Sequence, residues 1–256
     1  MKLGTCKLCL TEGDLQESHY LPRALYQLLR SDGELPIVMS PNLIIQHQKQ
    51  IKDFVLCRGC EQRFNRMGEN YVMGVVSRKS EFKMMDLIRA CPDRHIHGEY
   101  SVYSASRAGV EADKLAYFAL SVIWRGGAHV WHTFPGRATG GLQLGHHQER
   151  LRRYLTGQDP YPRGVVVKVS VACDSASQQF VQFPWINPAQ QDATVFTFVV
   201  LGLWFDIAVG DNLPQYVLAN CCLTQPEMPL FVGDFSRFVE NEVAQLKETA
   251  RIDSRL

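Results

Sequence analysis

No stretch of this 256-residue chain stays apolar for long. The longest such run, residues 195–205, contains Thr197 and Gly202 and stops at Asp206. A bilayer crossing needs ~20 consecutive apolar residues, so no membrane span and no membrane partner are expected. The N-terminus enters Cys6 without an apolar segment, so a secretory leader is not expected and a cytoplasmic setting is. Net charge is only +1, which excludes a molecule that grips polyanions with its whole surface. The chain also lacks a Walker phosphate loop, a dinucleotide fingerprint and a Gly-x-Ser-x-Gly elbow, and the chemistries those motifs serve go with them. Internal repeats and low-complexity segments are absent too, so a solenoid or an extended linker is not expected.

What is present is an ordinary globular composition, 46% hydrophobic and 21% charged, enough to bury a sizeable core. Charge is unevenly placed. Residues 1–110 hold 15 Lys+Arg against 12 Asp+Glu, and residues 111–256 hold 12 against 14. The segment 49–94 is the most basic, with 10 against 6, a lean that suits a polyanion partner. The character of the sequence changes along its length, with a division near residue 108 separating units 1–108 and 109–256. Helical periodicity is expected over residues 22–30, from 58 to about 70 with a break near Gly68, over 78–89, 111–124, 146–155 and 235–252. Gly126-Gly127 should stop the fourth of these. Short β-branched and aromatic runs at 43–45, 54–56, 100–103, 164–169, 180–183, 195–205 and 216–218 are expected as strands, the later ones forming a mostly antiparallel sheet.

Eight cysteines are present, four of them in Cys6-Lys7-Leu8-Cys9 and Cys57-Arg58-Gly59-Cys60. In a reducing compartment two C-x-x-C pairs place four soft thiolates where one tetrahedral structural zinc can collect them. The 47 residues between Cys9 and Cys57 must then fold back on themselves. Cys91, Cys173, Cys221 and Cys222 show no ligand spacing and read as core or surface residues.

Between the knuckles lies Ser18-His19-Tyr20-Leu21-Pro22, and after the second comes Glu61, opening a helix. Knuckle, Ser-His-x-x-Pro and Leu-Cys-x-x-Cys-Glu together resemble the HNH (His-Me finger) endonuclease family over residues 4–72. The resemblance implies an α+β chain: an N-terminal zinc-stapled ββα-metal module, then an α+β half that binds substrate or a partner protein. It implies a metal-dependent endonuclease that cuts or nicks DNA, with RNA the other substrate class, and an association with restriction or anti-phage defence. His19 would be the general base, and a Mg²⁺ or Mn²⁺ would stabilise the leaving oxygen. The family places an acidic residue just before the histidine, where this chain has Ser18. Glu17, one position further back, would face away on a strand. Glu61 would therefore take over as the hard-metal ligand, helped by Ser18 and by Glu69. Glu61, Asn65 and Glu69 stand at i, i+4 and i+8 on the expected helix, one face of it, with Asn65 joining His19 and Glu61 in the catalytic set. The asparagine that orients the family's histidine has only Asn42 or His47 as counterparts.

Other features weigh less. Arg58, Arg63 and Arg66 are candidates for contacting a nucleic-acid backbone, and a solvated helix face is the competing reading. His95 and His97 alternate on an expected strand without a third ligand. His146-His147 precede Arg150, Arg152 and Arg153, where a phosphate contact competes with an ordinary surface role. Trp124-Arg125 reads as packing plus a helix C-terminal cation. A non-catalytic zinc module that contacts nucleic acid or protein is the alternative to an enzyme, and Ser18 keeps it open.

Overall fold

The computed structural model describes residues 2–31, 37–40, 43–46, 50–134, 137–187 and 193–253. Asn42 and His47 lie outside them. The chain opens with β1 (Lys2–Thr5), β2 (Glu12–His19) and α1 (Arg23–Ser31), followed by β3 (Ile37–Ser40) and β4 (Leu43–Gln46). Then come β5 (Lys52–Cys57), α2 (Arg58–Phe64), a π-helical turn (Asn65–Glu69) and α3 (Asn70–Val75). A small hairpin, β6 (Ser77–Arg78) and β7 (Glu81–Phe82), precedes α4 (Lys83–Arg89), β8 (His95–His97) and β9 (Tyr100–Ser104). The second half runs through α5 (Ala112–Ala128), β10 (Val130–Phe134), β11 (Arg137–Gly140), α6 (His147–Thr156), β12 (Val165–Ala172) and α7 (Ser175–Gln178). It ends with β13 (Val181–Asn187), β14 (Thr194–Val200), β15 (Leu203–Val209), α8 (Gln215–Leu218), β16 (Pro229–Gly233) and α9 (Ser236–Asp253).

Two sheets matter most. The smaller has the order β1-β2-β5, all antiparallel, and runs directly into α2. The larger has nine strands in the order β4-β3-β13-β14-β15-β12-β16-β9-β8, with only β12–β16 and β13–β3 parallel. The fold is thus mixed α+β with mostly antiparallel sheets. Strands from before and after residue 108 share the larger sheet, so the division expected there is crossed by hydrogen bonds.

α5 is the central helix, packed by the π-turn, α3, α6 and strands of the larger sheet. Residues 115–126 are buried without exception, all round the helix, where a single apolar face was expected. A helix covered on every side must sit inside the core. The π-turn lies against one side of α5, and β12, β13 and β15 lie against another. Gly68 permits the closest approach: a Cβ there would stand 2.8 Å from the backbone nitrogen of Phe118. Gly126 and Gly127 do not stop α5, which continues to Ala128. Their missing side chains make room for the Tyr20 hydroxyl and for Gln148 and Leu144, so burial holds them in the helix against their propensity.

Two other expectations shift. Residues 78–82 form the β6–β7 hairpin before the shortened α4 instead of helix, as the Ser77 N–H bonds the Leu201 carbonyl (2.9 Å) and Phe82 packs beneath Gly202. The apolar run at 195–205 is strand as expected, a pair formed by β14 and β15 that turns at Leu201-Gly202, both with positive φ. Residues 216–218 lie in the one-turn helix α8, launched by Pro214. That placement lets β-branched Val217 bury against Val166 and Val195 without extending the sheet.

Candidate functional site

The four knuckle cysteines come together. Their sulfurs lie within 4.8 Å of one another, Cys6 and Cys60 buried, Cys9 and Cys57 half-buried. Cys9 Sγ and Cys57 Sγ are 3.8 Å apart. Zinc–sulfur bonds of ~2.3 Å give a tetrahedron whose edges are about 3.8 Å, so the donor set and its spacing both fit zinc. Four sulfurs this close cannot all carry charge unaided. The Cys60 thiol pulls Cys6 down to about 4, and Cys6 in turn pushes Cys60 far up. A dication would deprotonate the set together.

The first knuckle is a tight turn in which Leu10, at φ 63°, lets its N–H reach the Cys6 carbonyl (2.8 Å). It is tied to the second by a β-bulge. Between the pairs Gln16↔Leu56 and Glu17↔Phe54, Val55 is the extra residue on β5, and its carbonyl accepts from the Lys7 N–H (3.1 Å). Arg152 of α6 donates to the Leu8 carbonyl (2.8 Å) and holds the knuckle from outside.

β2, β5 and α2 form a ββα arrangement with His19 at the end of β2. Its Nε2 donates to Gln50 Oε1 (2.6 Å), which leaves Nδ1 as the basic nitrogen of a neutral ring. Burial pushes the His19 pKa below its ordinary 6.5, Gln50 opposes that, and Lys52, Arg23 and Arg125 add to it. Ser18 points to the other face and is fully buried, its Oγ accepting from Leu56 N–H (3.0 Å). Glu17 is turned to solvent and paired with Lys52 (2.7 Å), as strand alternation expects.

Glu61 sits over Ser18. Burial pushes its carboxyl above the usual range, while Arg125 and the Ser18 hydroxyl pull it back. Its Oε1 is buried and has no hydrogen-bond partner among the described residues. A buried carboxylate oxygen without a donor can accept a cation, and this one lies on the Ser18 side of β2. Glu69 is placed differently. It is buried in an ion pair with Arg125, whose other end-nitrogen donates to the Tyr20 carbonyl (3.1 Å). Asn65 is half-buried at the start of the π-turn.

The π-turn explains why Glu61 and Glu69 both face this cluster. Two α-helical turns take about 7.2 residues, so a residue at i+8 overshoots by nearly one. The wider turn, marked by Asn70 N–H bonding the Asn65 carbonyl, absorbs that residue. Arg58 and Arg66 are exposed along this segment, and Arg63 is half-buried beside Gly157. His95 and His97 are exposed, while Cys91, Cys221 and Cys222 are buried and Cys173 is exposed.

Two residues of the cluster escape a reading of the sequence. Gln50 sits in a polar patch with no motif. Arg125, expected as a helix C-terminal cation, lies three residues inside the end of α5 and is buried against Glu69; a cation within an otherwise apolar stretch was the one available sign of that partner.

No helix is long and apolar enough to cross a membrane among the described residues. No protein-family model, curated protein or solved structure matches this chain.

Proposed function

We propose that this chain is a metal-dependent endonuclease that hydrolyses phosphodiester bonds, with DNA the substrate. The observations that carry the reading are His19 at the end of a ββα unit, held by Gln50, and a buried Glu61 oxygen on the adjoining helix that lacks a donor among the described residues. His19 Nδ1 would take the proton of the attacking water, a step worth typically 10²–10⁴-fold in rate. Glu61 would hold a Mg²⁺ or Mn²⁺, which when bound stabilises charge on the phosphate and leaving oxygen. Ser18 would orient Glu61, and the exposed Arg58 and Arg66 would meet the backbone of the nucleic acid. The zinc would stay outside the reaction and fix the distance between β2, β5 and α2. A reducing cytoplasm, where thiolates remain available, fits these roles.

A second reading rests on Arg125. Its guanidinium already supplies a cation among the carboxylates, which would suit a module that binds nucleic acid or protein without cutting. Plasmid nicking with Mg²⁺ or Mn²⁺ separates the two. Cleavage that disappears in His19→Ala and Glu61→Gln supports the enzyme; retained DNA binding with no cleavage under either metal supports the module.

A further inference from the structure

A second cluster of metal-binding side chains lies far from the cysteines in sequence and has no part in the site above. His146 caps α6 and His147 is its first residue. Their rings are 4.1 Å apart, and both Nε2 atoms turn toward Oδ1 of Asp211, at 3.2 and 3.8 Å. All three ligand atoms lie within 4.8 Å of one another. We propose that His146, His147 and Asp211 hold a divalent first-row transition-metal ion of the zinc, cobalt, nickel and copper class.

The geometry is close to what such an ion needs. Metal–nitrogen and metal–oxygen bonds of ~2.0–2.1 Å at a tetrahedral centre separate neighbouring ligand atoms by about 3.3 Å. The two Nε2–Oδ1 distances stand on either side of that value, each within about half an ångström of it, and all three ligand atoms lie within 4.8 Å of one another. Two imidazoles with one carboxylate also select by chemistry, favouring these metals over Mg²⁺ or Ca²⁺, which prefer all-oxygen shells. The ion proposed here therefore differs in kind from the one proposed beside Glu61, and the inference stands whether or not that reading does.

The site is built into the fold. The His147 side chain is only 7% exposed. Its ring lies against Gly164, where a Cβ would stand 3.3 Å from Cε1, and Gly164 has a φ of +73°, which favours glycine. The Gly164 carbonyl accepts from Gly210 N–H (2.9 Å), which fixes the residue before Asp211. Arg150, one turn along α6, donates to the same Asp211 Oδ1 (2.9 Å) and orients the carboxylate. The positive end of α6 works against a cation here, but weakly, because His146 and Asp211 are more than half exposed to water.

The placement gives the ion a structural consequence. It would clamp the start of α6 to the segment after β15. Five residues further along the same helix, Arg152 reaches the Leu8 carbonyl inside the first knuckle. α6 would then join the two metal sites.

Metal content of the full-length, zinc-loaded protein tests this. After equilibrium dialysis against micromolar Zn²⁺, elemental analysis should return two equivalents per chain. Asp211→Asn and His146→Ala should each return one. Both residues are exposed enough to change without unfolding the chain, unlike His147. Co²⁺ substitution should show intense thiolate charge-transfer bands in every form, and only the unmodified chain should add weak visible bands without thiolate character. Excess Zn²⁺ should raise the melting temperature of the unmodified chain and not that of the variants, and Mg²⁺ should do neither. One equivalent in the unmodified chain, or a second equivalent that survives Asp211→Asn, would overturn the proposal.

Discussion

The Arg125 guanidinium and the Glu69 carboxylate form an ion pair with 2% and 7% of their side chains exposed. Arg125 also lies over the Phe64 ring, 4.6 Å from its centroid, and donates to the carbonyl of the residue after His19. It therefore links α5, the π-turn and the end of β2 through one side chain. A buried pair of this kind is costly to break from one side, because the remaining charge has no water to turn to.

Arg125→Met should accordingly destabilise the fold by about 3–5 kcal/mol, the range for stranding one member of a buried pair. Glu69→Gln should lie toward the lower end, since the amide oxygen still accepts from Arg125. The double replacement Arg125→Met with Glu69→Leu should recover much of the loss. Urea unfolding followed by tryptophan fluorescence reads all three; additive losses in the double variant would contradict the pairing.

Removing zinc should unfold the N-terminal sheet, because binding energy at a structural site is folding energy. A strong chelator, or Cys57→Ser, should abolish the four-thiolate cobalt spectrum and lower the melting temperature sharply. His19→Ala should leave both unchanged while removing nicking. Equal unfolding of Cys57→Ser and His19→Ala would make His19 a structural residue.

Gly68→Ala should be harmful despite alanine being the better helix former. Its Cβ would fall 2.8 Å from Phe118 N and 3.0 Å from the Lys114 carbonyl, both backbone atoms of α5 that cannot step aside cheaply. Overpacking of this kind costs about 1–3 kcal/mol. Thermal melting compared with Gly13→Ala, where a Cβ meets nothing within 4 Å, isolates the packing effect.

Acid should weaken the fold through His129. Its Nε2 bonds Asp53 Oδ2 (2.9 Å), and Lys7 Nζ lies 3.2 Å from its Nδ1 and donates to the Ala128 carbonyl. Burial lowers the His129 pKa below 6.5, Asp53 works the other way, and Lys7 adds to the lowering. The folded state thus binds this proton less readily than the unfolded chain. Its contribution is complete above pH 6.5 and declines as pH falls through 6.5 toward the folded value. Asp53 acts at lower pH: burial opposes ionisation, but Phe54 N–H and His129 outweigh it and hold the carboxyl below 3.8. Its share is present above 3.8 and disappears as pH falls through the folded value. Unfolding free energies measured from pH 7.5 to 5 should slope downward, and His129→Gln should flatten that slope.

The local parts of this structure were legible because their causes are local. The C-x-x-C spacing locates the four sulfurs, and Pro22, the leucine periodicity and the Pro/Gly breaks locate α1, α6, α9 and most strands. What escaped depends on partners distant in the chain. Gly126 and Gly127 read as a stop until the Tyr20 hydroxyl and Gln148 are seen filling the space above them. Glu69 read as a metal ligand, and its pairing with Arg125, 56 positions away, follows only from how α5 meets the π-turn. The π-turn falls where Gly68 marked a break, but nothing in the residue pattern shows that the break is a widened turn, which decides which carboxylates share a face.

The bulge at Val55 and the two knuckles it joins also bear on how this chain tolerates change in length. Once a metal pins Cys9 to Cys57, the 47 residues between them become a closed loop. Closing a loop of that size removes about 4 kcal/mol of freedom from the unfolded chain in the chain-entropy account. Doubling the loop would add only ~0.6 kcal/mol to its closure cost. The module's alignment is thus nearly insensitive to the length of what it encloses. Residues could be inserted between α1 and β3, ahead of the strands and the Gln50 contact, without disturbing the register that sets His19 opposite Lys52.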